Sequence, residues 1–126
     1  MDYNSLREYL LGKTGAYEDF PFDFDTLVIK VSKRMFALIP LNTEPLRVNL
    51  KCDPLEAILL RQEHDAITPG YHMNKQHWNT VMLDGSLPDE LVRKMIDNSY
   101  NLVVKGLTRA QRARLQAEFD RHTDHT

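Results

Sequence analysis

Hydrophobic positions change period several times along this chain, and each change marks a new element. In "DYNSLREYLLGKTG" Leu6, Tyr9 and Leu10 recur at helical spacing, Asp2 can cap the start, and Gly12 or Gly15 ends the run. From residue 17 the period is two. "YEDFPFDFD" contains Pro21 and reads as an edge strand or an extended lead-in. "TLVIKVS" sets Leu27, Ile29 and Val31 on one face against Val28, Lys30 and Ser32 on the other. Lys33 and Arg34 read as a tight turn, and "MFALIPL" follows as a largely buried strand. "LRVNLKC" alternates best, with Leu46, Val48, Leu50 and Cys52 inward and Arg47, Asn49 and Lys51 outward. Connections this short join antiparallel strands.

"DPLEAILLRQEH" then restores the helical period. Asp53 is a good cap, Pro54 suits the first helical position, and Glu56 completes a capping box. Leu55, Ile58, Leu59 and Gln62 lie along one stripe of this helix. "NTVMLDG" reads as a further strand with Val81 and Leu83 inward. Ser86 is placed to cap the longest helix, whose stripe is Val92, Met95, Ile96, Ser99, Tyr100, Val103 and Leu107. A second capping box, Thr108 to Gln111, opens a short basic last helix. Strands are grouped rather than alternating with helices, which gives an α+β fold: an antiparallel sheet of about five strands with helices packed on one face. No repeat or linker divides the chain, so residues 1–126 read as one domain, compact over about 2–118 with a frayed tail over 119–126.

Composition changes little in this picture. At 126 residues and 14.7 kDa, 42% hydrophobic and 27% charged, the chain can bury a core without a disulfide or metal. Cys52 is the single cysteine, which excludes an intramolecular disulfide and a cysteine-based zinc site. The N-terminus does not read as a signal peptide and no apolar run is long enough to span a bilayer, so a soluble, cytoplasmic protein is expected. The net charge of -2 means that a nucleic-acid role needs a local basic patch.

Four groups are candidates for chemistry. His64, His72 and His77 lie close in sequence, but their spacing matches no zinc pattern, and no metal or cofactor is expected. Cys52 alternates onto the apolar face, where it reads as a small buried hydrophobe, and no nucleophile–base pair can be named, so the chain reads as non-enzymatic. Glu18, Asp19, Asp23 and Asp25 read as a solvated, charge-protected edge. The polar sheet face is the strongest of the four. Lys30, Arg47 and Lys51 lie opposite the core with Asn49 between them, and Lys33 and Arg34 stand at the hairpin tip. Such a surface can lie against phosphates, and Lys75 would join it. Tyr71 or Trp78 would stack on a base if exposed, although an indole against the sheet is the commoner use of Trp78. Arg109, Arg112 and Arg114 form a second basic surface on the last helix.

Residues 69–104, "PGYHMNKQHWNTVMLDGSLPDELVRKMIDNSYNLVV" with its continuation, carry a resemblance. His72, Asn74 and Lys75, then His77-Trp78, "LDGSLPD", and Ser99-Tyr100 resemble the MmcQ/YjbR family of small bacterial proteins, as do "GKTGAYEDFPF" and "LRVNLKCDP" upstream. The resemblance runs from about residue 3 to 117, with Thr14 where a proline is common. It implies a CyaY/frataxin-like sandwich and a DNA-binding role attributed to winged, hairpin-type features. A frataxin-type iron site would need an acidic ridge on the first helix, where only Asp2 and Glu8 stand. The expected function is therefore DNA binding by a monomer through Lys30, Lys33, Arg34, Arg47, Lys51 and Lys75, with no membrane partner. The alternative is a protein-interaction or small-anion module in a cleft beside residues 69–85, using His72, Asn74, His77 and Trp78 with Lys75.

Overall fold

A computed structural model describes residues 1–70 and 73–123. Helix α1 (Tyr3–Leu11) starts where Asp2 accepts a 2.8 Å hydrogen bond from the Ser5 amide and stops at Gly12. Strands β1 (Tyr17–Asp19), β2 (Thr26–Val31), β3 (Arg34–Pro40) and β4 (Arg47–Lys51) follow. Helix α2 (Pro54–Glu63), strands β5 (Ile67–Pro69) and β6 (Trp78–Met82), and helices α3 (Asp89–Lys105) and α4 (Arg109–Thr123) complete the chain. The fold is α+β. Its single sheet is antiparallel, in the order β1-β2-β3-β4-β6-β5.

The sheet has six strands, one more than expected. The addition is β5, whose three residues are too few to show an alternation. Helix α4 runs to Thr123.

One face of the sheet carries the core. Leu27, Ile29 and Val31 of β2, Ile39 of β3, Val48 and Leu50 of β4, Ile67 and Val81 pack with Leu6 and Leu10 of α1 and with Val92, Met95, Ile96 and Val103 of α3. Between β2 and β3 the register slips, so that Ile29 opposes Ala37 while Lys30 opposes Met35. The extra residue is Phe36, and the bulge lets both Phe36 and Ala37 face the core. Ser99 of α3, fully buried, donates a 2.6 Å hydrogen bond to the Phe36 carbonyl and accepts one of 2.9 Å from the Lys51 amide. One hydroxyl therefore ties α3 to both β3 and β4.

Three local expectations are corrected. The β2–β3 turn is Ser32-Lys33, with φ of 48° and 68°, one residue earlier than read. Arg34 is therefore the first residue of β3, opposite Val31. Ser86 does not cap α3, because its amide and hydroxyl are both held by the Asp84 carboxylate, and α3 begins after Pro88. The stripe expected to anchor α2 faces solvent: Leu55, Ile58 and Leu59 are exposed, while Ala57 is buried and Leu60 and Arg61 are half-buried. The helix is turned so that Arg61 points inward.

Candidate nucleic-acid interface

Because α1 and α3 cover one face of the sheet, the alternate residues of each strand stand on the other. On β4 these are Arg47, Asn49 and Lys51, which lie opposite Met82, Thr80 and Trp78 of β6. The Thr80 hydroxyl donates a 2.5 Å hydrogen bond to Asn49 Oδ1. No residue of β2, β3, β4, β5 or β6 is acidic. Across β4 and β6 the open face therefore presents two cations and hydrogen-bonding side chains with no carboxylate from any of these five strands.

A small apolar cluster sits on the same face. Val28, Leu38 and Trp78 pack together, with Met35 and Met73 against them. Trp78 is only 8% exposed, so its ring is used in packing and is not offered as a stacking platform.

The expected basic residues separate into distinct settings. Arg47 and Lys51 share the open face, about 13 Å apart along one strand at about 3.3 Å per residue. Lys30 is on that face too, but its ammonium lies 2.8 Å from Asp19 Oδ2 on β1. The hydrogen bond between them lowers the Asp19 carboxyl from its ordinary value and raises the Lys30 ammonium. Its charge is answered locally. Lys33 is exposed at the hairpin turn. Arg34 lies on the helix side, where its Nη1 would stand 3.3 Å from a Cβ at Gly106, the residue that ends α3. A guanidinium there suits the negative end of the helix dipole and is remote from the open face.

The loop between β5 and β6 is largely a structural crossing. Asn74 Oδ1 accepts from the Gln76 amide, and its carbonyl accepts from the His77 amide. The His77 carbonyl accepts from the Cys52 amide at 2.7 Å, which joins the loop to the end of β4. Lys75 is exposed. Tyr71 and His72 lie outside the described residues. Among the described residues no three His, Cys, Asp or Glu side chains converge as a metal site would require. Cys52 is buried, and burial, with Glu56 and Asp53 adding to it, pushes its thiol up to about 11, so it is protonated at neutral pH.

Arg61 was not singled out from the sequence and organises this region. Its Nε donates to Asn79 Oδ1 at 2.7 Å, and its Nη2 donates to the carbonyls of Lys75 and Trp78. Asn79 is 2% exposed and directly follows Trp78 at the start of β6. Arg61 thus fixes the rotation of α2 and the path of the loop together. Arg61→Ala is expected to cost about 2–3 kcal/mol, because the buried Asn79 carboxamide and two loop carbonyls lose a charged donor at once. Chemical denaturation measures this, and a loss within about 0.5 kcal/mol would show that these bonds do not hold the crossing.

A hollow of about 510 Å³ opens at the Arg47 end of the same face, lined by Pro40, Asn42, Thr43, Arg47, Asn49, Thr68, Thr80 and Met82. Alternation on β4 marks Arg47 and Asn49 as outward, but it cannot show that β5 supplies Thr68 beside them.

The chain is similar to known proteins over most of this framework. The family model described as YjbR matches residues 11–102. The Escherichia coli K12 protein YjbR is 38% identical over 112 residues, covering 89% of this chain and 95% of the relative. The Bacillus subtilis protein YyaQ is 30% identical over 105 residues, covering 71% of this chain and 87% of the relative. A crystal structure of the Deinococcus radiodurans protein DR2400, a DUF419 domain, matches with a TM-score of 0.84 and 45% identity over 90% of this chain and 86% of that one. A Pseudomonas syringae protein of known crystal structure matches with a TM-score of 0.69 and 28% identity, over 81% of this chain and 98% of that one. By its matched span and its relatives, the chain belongs to the YjbR family.

Proposed function

We propose that this protein binds nucleic acid through the open face of its sheet. The observation that carries this reading is the face itself: Arg47, Asn49 and Lys51 point outward from β4, and none of the strands β2–β6 contributes an acidic residue. Guanidinium and ammonium groups on strands that carry no carboxylate attract phosphates, and each contact releases counterions. Lys75 and Lys33, both exposed, stand on loops that border the strands. The acidic residues Asp19, Asp23 and Asp25 gather on β1 and the β1–β2 loop, so the polyanion runs over β4, β6 and β5 and leaves the β1 edge free. No catalytic step is part of this reading. Its test is a salt titration of binding to a short oligonucleotide, with Arg47→Ala/Lys51→Ala alongside. Affinity should fall as salt rises, and the double variant should lose most of that dependence. Binding that is undetectable at low salt would end the proposal.

A further inference from the structure

The hollow at the Arg47 end of the open face has a composition that a flat phosphate-tracking surface does not need. Its walls are Pro40, Asn42 and Thr43 on one side and Thr68, Thr80 and Met82 on the other, with Arg47 and Asn49 between. These side chains are half-buried except Asn42, which is exposed. Asn49 uses its Oδ1 to accept from Thr80, which leaves its Nδ2 amide as a donor toward the hollow. The Thr43 and Thr80 hydroxyls donate to the Pro40 carbonyl and to Asn49 and keep only acceptor capacity, so the Thr68 hydroxyl, the Asn42 amide and the Arg47 guanidinium complete the set of donors. A volume of about 510 Å³ lies within the range of small-ligand pockets.

We infer that this hollow seats one unpaired nucleotide of a single strand. This rests on the nucleic-acid reading above and goes further by naming the kind of strand. A phosphate oxygen takes the Arg47 guanidinium. The base enters the hollow, with its edge on Asn49 and Thr68 and its face against Met82 and Pro40. The geometry disfavours a duplex. Strands stand about 4.8 Å apart, so the four from β3 to β5 span about 14 Å before side chains are added, wider than the roughly 12 Å major groove. A duplex would meet this face only by its phosphates and leave the Asn49 amide and the Thr68 hydroxyl unused. An unpaired base can be turned out of the strand and read by its edge.

The test compares a short labelled thymidylate strand with the same strand annealed to its complement, by fluorescence anisotropy at fixed low salt. The single strand should bind about tenfold more tightly or better. Asn49→Leu and Thr68→Val should each weaken single-strand binding by about fivefold to tenfold and weaken duplex binding less, so that the single-strand preference falls. Thr68 lies on the edge strand β5, so its variant keeps the test valid if the Asn49 variant folds poorly, as a thermal melt will show. Equal or stronger duplex binding, with both variants neutral, would overturn the seated nucleotide while leaving the sheet-face reading standing. Failure of both probes to bind would overturn both readings.

Discussion

Truncation of Phe36 to alanine is expected to lower the unfolding free energy by about 3–5 kcal/mol. A domain of this size has only about 5–15 kcal/mol to lose, so the variant should stand near the edge of folding. Phe36 is fully buried, and its ring meets Tyr100 edge-on at 5.2 Å and 81°. Its position depends on the bulge that adds one residue to β3. Its carbonyl also accepts the Ser99 hydroxyl, which holds the Lys51 amide on the neighbouring strand. Leu55→Ala is the control, since Leu55 is 74% exposed and its loss should stay within about 0.5 kcal/mol. Urea denaturation measures both. A cost below about 1 kcal/mol for Phe36→Ala would show that the bulge does not seat the ring in a packed core.

The Arg47→Ala/Lys51→Ala double variant is expected to produce the largest functional change. For a single strand the logarithm of affinity falls against the logarithm of salt with a slope of about −0.7 per neutralised phosphate. With Arg47 and Lys51 each on a phosphate, the two account for a slope of about −1.4, which the double variant should lose. Affinity at low salt should fall by about tenfold or more. Lys30→Ala serves as the informative contrast. Its ammonium is already paired with Asp19, so its removal should leave the slope nearly unchanged. A Lys30 effect as large as that of Lys51 would place the phosphates nearer the β1 edge and contradict the assigned surface.

Long, regular patterns in the sequence translate directly into structure here. The stripe read on α3 is the buried stripe, with Tyr100 half-buried at its edge, because seventeen residues of helical period leave one rotation that hides most of the apolar groups. The alternation of β4 likewise sets its inward and outward residues. Failures follow from short elements and from single polar anchors. Strand β5 has three residues and shows no period. Helix α2 turns its leucines outward because Arg61 donates to Asn79 and to two carbonyls, a long-range demand that local hydrophobicity does not encode. The signal available was an arginine interrupting the Ala57–Leu60 side of the helix. Arg34 left the expected patch because the turn fell one residue earlier, and in a strand a shift of one residue exchanges the faces. Ser99-Tyr100 was recognisable as a pair, but the two bonds of the Ser99 hydroxyl join residues far apart in sequence. Within the candidate site, Arg47, Asn49 and Lys51 were legible from alternation. Thr68 and Thr80 enter it only through strand pairing across β4, β6 and β5.

The most direct measurement is a map of backbone amide NMR shifts as a short thymidylate strand is titrated into the protein. The open-face account predicts that the largest shifts fall at residues 47–51, 68 and 78–82. The exposed arginines of α4, Arg109, Arg112 and Arg114, should move little. Shifts concentrated on α4, with β4 and β6 unmoved, would contradict it.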